Sequence, residues 1–313
     1  MIHLEKFFVL IFIAFSLLFA TCRPKQEKTE LTEKPALDNL DNRQFPGNQD
    51  EEQVIATVEK LLVAEGNHDF TALDSMVLKH ANLGITRKED STWQNTVMTI
   101  KEYINSRNNR ELIPYCEIIN DYSIQVSEGH LASLIADNVV HQFGIAKSHE
   151  KNYFTLMKEG NNWKFLSISF TIVPIPDEKK KFDSNIFARS YAQAWGSNRP
   201  EFVAMYFANE GILQVNEEKP VTGRKEISKV VQNFMTRFPD MKMSFDSLAE
   251  KPGGTEFYWT LTGTDTDPKA KGHKVKFSGF ERWTMSKKGL IQKSLNQFSK
   301  EEYNRQLESG SGD

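Results

Sequence analysis

The chain reads as an α+β protein built from two tandem domains, each with helices packed on an antiparallel sheet. Three observations predict this. Each half opens with apolar residues at helical spacing and closes with strand-like runs separated by turn residues. The second half repeats the first at a nearly constant offset: Gly66 recurs as Gly196 and Phe170 as Phe298, 130 and 128 residues apart. Helices followed by a strand meander, rather than strands alternating with helices, place each half in the α+β class.

The N-terminus reads as an address. Phe7 to Thr21 is a run of 15 residues, apolar apart from Ser16 and Thr21, that follows Lys6 and ends at Cys22. A membrane span needs about 20 apolar residues, so residues 1–21 are expected to be a signal peptide; the competing reading is an uncleaved N-terminal anchor. Leu18-Phe19-Ala20-Thr21-Cys22 resembles a bacterial lipoprotein signal, which implies lipidation of Cys22, an exported protein tethered to a bacterial membrane and the lipid bilayer as a partner. Residues 22–50, rich in Lys, Glu, Thr, Pro, Asn and Asp, carry too few large apolar groups to fold and are expected to form a flexible stalk.

In the first copy Val54, Ile55, Val58, Leu61 and Leu62 mark a helix, and Phe70, Leu73 and Met76 a second helical region beyond Gly66. Strands are expected over 116–126, 130–143, 150–157 and 163–173, with turns at Ser127-Glu128-Gly129 and Glu159-Gly160-Asn161-Asn162. Pro174, Pro176 and the charged run after them make residues 174–182 a linker. In the second copy Ile186, Phe187, Tyr191 and Trp195, then Phe202, Met205 and Tyr206, repeat the helical pattern, and strands are expected over 241–250, 255–264, 274–285 and 290–299. The domains thus span 51–173 and 183–307, with a disordered tail over 308–313.

Composition narrows the function. With 39 Lys plus Arg against 42 Asp plus Glu, net charge −3, there is no basic field for nucleic acid. Two cysteines, Cys22 and Cys116, exclude a disulfide framework and a four-cysteine zinc site, and Cys116 opens a strand as a small core residue. No phosphate-cradling loop is present; Asp265-Thr266-Asp267 reads as a solvated hairpin tip. No cofactor or metal site is expected.

The segments Trp259 to Thr264, Ser278 to Thr284 and Gly289-Leu290-Ile291, with Trp195, Gly211 and Gly223-Arg224-Lys225-Glu226-Ile227, resemble SnoaL-like proteins of the nuclear transport factor 2 superfamily. The resemblance covers residues 183–307; over 51–173 it rests on the Gly160 to Trp163 turn, the strand order and the repeat offset. It implies a cone-shaped curved sheet around helices, open to a mostly apolar pocket, in a superfamily that holds isomerases, polyketide cyclases, dehydratases and proteins that only bind or dimerise. The two domains are then expected to pair within the chain or to dimerise.

Period-two alternation puts Glu281 on one strand face with Val275, Phe277, Gly279, Trp283 and Met285. Desolvation there would raise its pKa as a general acid or base needs; the structural alternative is a paired carboxylate. Where cyclase-like relatives carry an acid/base His and Asp on the last strand, this chain has Ser294 and Asn296, which take no proton at neutral pH, so Asn296 is expected to donate a hydrogen bond to a ligand carbonyl. Trp195, Tyr206, Phe234, Phe238, Trp259, Trp283 and Phe298 are the candidate walls of the second pocket. Asp137, His141, Tyr153 and Phe170 are the candidates in the first. The leading reading is a membrane-anchored envelope protein that binds a small hydrophobic ligand or a protein partner. The alternatives are an isomerase, cyclase or dehydratase acting on a hydrophobic carbonyl compound with Glu281 as base, and a structural protein whose cones are filled by their own side chains.

Overall fold

A computed structural model describes residues 49–107, 111–267 and 272–310, so Cys22, the signal segment, nearly all of the stalk and the last three residues lie outside the described residues. Everything described belongs to one compact unit that begins at Gly47.

The first half runs α1 (Gln49–Gly66), α2 (Phe70–Met76), β1 (Val77–Glu89), β2 (Thr92–Thr99), α3 (Ile100–Arg107), β3 (Cys116–Ser127), β4 (Leu131–Gln142), β5 (Ile145–Glu159) and β6 (Asn162–Pro174). A 3-10 turn at Asp177–Lys179 leads into α4 (Ser184–Trp195), α5 (Pro200–Met205), β7 (Phe207–Val215), β8 (Val221–Thr222), α6 (Arg224–Arg237), β9 (Lys242–Lys251), β10 (Gly254–Thr264), β11 (Lys274–Met285), β12 (Ile291–Phe298) and α7 (Lys300–Ser309). The strand orders are β2-β1-β6-β5-β4-β3 and β8-β7-β12-β11-β10-β9, the same topology twice. The repeat read from the sequence is therefore a repeat of architecture: two tandem α+β domains of one fold.

Each sheet is antiparallel except at one seam. The first strand of each copy, β1 or β7, lies parallel to the last, β6 or β12. The β1–β2 hairpin went unrecognised in sequence because Val77 to Glu89 mixes His80, Lys79, Arg87 and Lys88 into its alternation. The eight strands expected from the alternation are all present, β5 starting five residues earlier than its pattern suggested.

Helix starts follow local chemistry. The Asp69 and Asp183 carboxylates accept from the Ala72 and Ile186 backbone N–H groups, satisfying N-terminal donors of α2 and α4. Buried faces of α1, with Val54, Val58, Leu61 and Leu62, pack with Leu134, Phe154, Phe165 and Ile168 into the first core. A second core, richer in aromatics, gathers Tyr191, Trp195, Phe257, Trp259 and Trp283.

The halves meet at the ends of α1 and α4. The Gln193 amide donates to the Tyr115 carbonyl at 2.9 Å and the Asn67 amide to the Gln193 carbonyl at 3.2 Å, while the His68 ring packs edge-on against Phe202. Gly66 is required here, since a Cβ would stand 2.2 Å from the Tyr115 carbonyl oxygen. Gln193→Ala strands that buried carbonyl, costs about 1–3 kcal/mol and lowers the melting temperature by several degrees in a thermal melt followed by circular dichroism.

Candidate functional site

In the second half, β11 carries Glu281 into the core. Register places Glu281 opposite Asn296 and Trp283 opposite Ser294, and alternation points all four inward. Four neutral donors converge on the fully buried carboxylate: Ser294 Oγ at 2.6 Å, Trp283 Nε1 at 2.9 Å, Asn296 Nδ2 at 3.1 Å and the Tyr191 hydroxyl at 3.1 Å. Burial raises the Glu281 pKa, and the hydrogen bonds from Ser294, Trp283, Tyr191 and Asn296 hold it back.

This geometry revises the roles expected in the second cone. Glu281 spends its lone pairs on the protein, and the Asn296 amide N–H expected to orient a ligand is donated to Glu281. Trp195, Tyr206, Phe238, Trp259 and Trp283 are core residues, packed ring against ring; Tyr191 alone lies edge-on to Trp283, Trp195 and Tyr206 at 5.3, 6.2 and 5.4 Å. Phe234 and Phe298 pack against that core from its margin. Gly279 exists because a Cβ would meet the Trp259 ring at 2.5 Å. α7 closes the end of the cone: Gln306 bonds both the N–H and the carbonyl of Lys276 in β11, and the Tyr303 hydroxyl donates to Asp265 at 2.9 Å. Asp265 is fully buried and also takes Arg237 Nε at 2.8 Å, so it is an anchor for α6 and α7 and not a solvated hairpin tip.

In the first half the sequence-derived pocket residues land on the wrong side. β4 turns Ala132, Leu134, Ala136 and Asn138 inward, so Asp137 faces solvent with its side chain 57% exposed and paired to Lys151 at 3.3 Å. Tyr153 is 44% exposed on the same outer face. A bulge between Val140 and His141 resets the alternation, and His141 sits half-buried with Nδ1 3.0 Å from the Val139 carbonyl. Phe170 packs against the first core opposite Asn152.

What does converge in the first half is a cluster of carboxylates that sequence reasoning missed. Glu65 at the end of α1, Glu117 on β3 and Glu150 on β5 interact with one another, with Tyr103 and Arg107 of α3, and with Tyr115. The buried Asn138 and Asn152 amides both donate to Glu117 Oε1, and the Oδ1 atoms of both asparagines are buried with no partner among the described residues. Ser148 Oγ donates to Glu150 at 3.0 Å, and Arg107 Nη2 to the Tyr103 hydroxyl at 3.0 Å.

The electrostatics follow from crowding like charges out of water. Burial pushes Glu65 up to about 8, with Glu117 adding to the effect and Arg107 and the Tyr115 hydroxyl opposing it. Glu150 is pushed up to about 8 by burial, then by Glu117 and Glu65, with Ser148 and Arg87 opposing. Burial raises Glu117 as well, and the hydrogen bonds from Asn138 and Asn152, which favour its charged form, oppose that. The carboxylates, amides and phenols thus form an acid cluster in which Glu65 and Glu150 keep their protons at neutral pH, and Glu65, Glu117 and Glu150 are each largely but not fully buried. The signal available in sequence was the inward row Ala132, Leu134, Ala136, Asn138, but Leu131, Ile135 and Val139 offer an equally apolar row of the other parity.

Among the described residues no group of His, Cys, Asp and Glu side chains is arranged to hold a metal ion, and no helix is long and apolar enough to cross a membrane. Two surface concavities are lined by none of Glu65, Glu117, Glu150 and Glu281: one of about 530 Å³ beside Asn216, Gly279, Phe298 and Lys300, the other of about 340 Å³ beside Lys60, Ser75 and Trp163.

Residues 188–293 match the SnoaL-like domain family. Similar solved structures include a hypothetical protein with a ketosteroid isomerase-like fold from Catenulispora acidiphila in complex with trimethylamine (14% identity over 35% of this chain and 82% of that one, TM-score 0.32). Another is an NTF2-like protein of unknown function from Exiguobacterium (16% identity over 35% of this chain and 95% of that one, TM-score 0.31). No curated protein matches the chain.

Proposed function

We propose, from a SnoaL-like domain at residues 188–293 and a first half that repeats its topology, that this chain is an envelope ligand-binding protein whose working site is the carboxylate cluster of the first half. The second half is its structural companion, with its inward carboxylate Glu281 held by donors of its own fold. The observation that carries this reading is the contrast between the two cones. Glu281 is met by four donors from its own fold, with one unpartnered oxygen beside it at Asn296 Oδ1, whereas Glu65, Glu117 and Glu150 crowd three carboxyls together beside the Asn138 and Asn152 oxygens, which have no partner among the described residues. Buried polar atoms are nearly always hydrogen-bonded, so unsatisfied acceptors beside crowded, partly buried carboxyls support a ligand that donates hydrogen bonds. Phe170 and Tyr103 supply apolar surface for the rest of a small hydrophobic molecule. The run before Cys22 supports export and lipid anchoring of that cysteine as part of the same reading.

A second reading is favoured by the two carboxyls raised to about 8. Groups that titrate near neutrality serve as general acids, so the cluster suits proton transfer on a carbonyl compound, with Glu150 or Glu65 as the acid in place of Glu281. Native mass spectrometry of the chain from its own cells tests the site. A co-purifying small molecule is expected in the wild type and in Ser294→Ala, and its loss in Asn152→Leu with the circular dichroism spectrum unchanged. Retention in Asn152→Leu and loss in Ser294→Ala would move the site to the second cone. A clean apo mass would shift weight to a protein partner.

A further inference from the structure

Strand edges expose unpaired N–H and C=O groups, and proteins guard them by keeping them short, charged or covered. β8, the outer strand of the second sheet, is two residues long. β9 at its other edge carries Lys242, Asp246, Glu250 and Lys251. β3, at one edge of the first sheet, carries Glu117 and Asp121 and lies against α1 and α4. β2 has none of these protections. It is the outermost strand of the first sheet, eight residues long, and Thr92 to Val97 are all exposed. Its sequence, Thr92-Trp93-Gln94-Asn95-Thr96-Val97-Met98-Thr99, holds no charge, proline or glycine. Trp93 is 48% and Val97 80% exposed, while the other four tryptophans are buried.

We propose that β2 pairs antiparallel with β2 of a second copy of this chain, joining two first-half sheets edge to edge across a two-fold axis at Asn95. The register follows from the side chains. Residues directly opposite in an antiparallel pair lie on the same face, so a two-fold pairing is centred on a residue. Centred on Gln94, it sets Val97 against Ser91; centred on Thr96, it sets Trp93 against Thr99. Centred on Asn95, it sets Trp93 of each copy against Val97 of the other, two aromatic–β-branched pairs worth about 0.2–1 kcal/mol each. The same register meets the two Asn95 amides on the axis and pairs Gln94 with Thr96 and Thr92 with Met98 on the opposite face. With no charge on either strand, nothing repels. The interface is self-complementary because the strand supplies both members of every pair.

Sedimentation velocity of the full chain between about 1 and 100 µM tests this, that range bracketing the affinity of a small interface. The expected result is a concentration-dependent monomer–dimer shift. Iodide quenching, which reads Trp93 as the one exposed tryptophan, should weaken over the same range. Asn95→Lys and Asn95→Asp each place like charges on the axis and leave monomers with unchanged circular dichroism, dissociating at least about tenfold more readily. An equimolar mixture of the two restores the dimer. A wild type that stays monomeric throughout overturns the proposal. So does a dimer that survives Asn95→Lys, or a mixture that fails to reassociate.

Discussion

Glu281→Ala is expected to lower the melting temperature by roughly 10 °C, the equivalent of about 4 kcal/mol, because it strands four buried donors at once. Tyr191, Trp283, Ser294 and Asn296 come from α4, β11 and β12, so the carboxylate ties a helix to two strands. Glu281→Gln keeps the volume and one acceptor but turns an amide N–H toward donors, and should cost about 1–3 kcal/mol. Differential scanning calorimetry of the three proteins reads this order directly. A Glu281→Ala protein that melts with the wild type would contradict the structural role and return Glu281 to the list of working carboxylates.

The second large effect is on pH. Glu65 and Glu150, pushed up to about 8 in the folded chain, have an ordinary value of 4.5. Between those values the unfolded chain has lost protons that the folded chain keeps, so stability falls as pH rises. The contribution is complete below about 4.5 and gone above about 8, with a slope of up to about 1.4 kcal/mol per pH unit for each independent group. The two are coupled through Glu117, so the total is a few kcal/mol rather than the sum of two isolated shifts. His68 and His141, both lowered by burial, act in the opposite sense near their ordinary value of 6.5, and Glu117 and Glu281 act in the same sense as the pair. Thermal melts at pH 5, 6.5 and 8 should show the melting temperature dropping by on the order of 10 °C, with Glu65→Gln/Glu150→Gln flattening the dependence. A double variant whose slope matches the wild type would mean that the clustered carboxyls are ordinary acids.

These two effects mark the difference between the halves. One buried carboxylate is held by four donors of its own fold and contributes to architecture; the other three are crowded together largely out of water, two of them pushed up to about 8. Repetition of one topology thus supplied two cones with different chemistry inside them, which agrees with the principle that function resides in sites grafted on a fold.

The sequence by itself determined the class, the repeat and the strands of both meanders, because period-two alternation and turn residues are local properties that survive into three dimensions. It also determined that Glu281 lies among apolar neighbours, since Val275, Phe277 and Trp283 share its parity. Only the tertiary structure decided which face of β4 looks inward, because Leu131, Ile135 and Val139 are as apolar as Ala132, Leu134 and Ala136, and packing against α1 broke the tie. It alone decided that the aromatics of the second cone fill it, for a wall and a core have the same spacing along a strand. The parallel seam of each sheet and the meeting of Glu65, Glu117 and Glu150 were likewise decided there. Those three carboxylates are as much as 85 residues apart, and no local pattern encodes a contact whose partners are brought together only when the sheet closes around the helix.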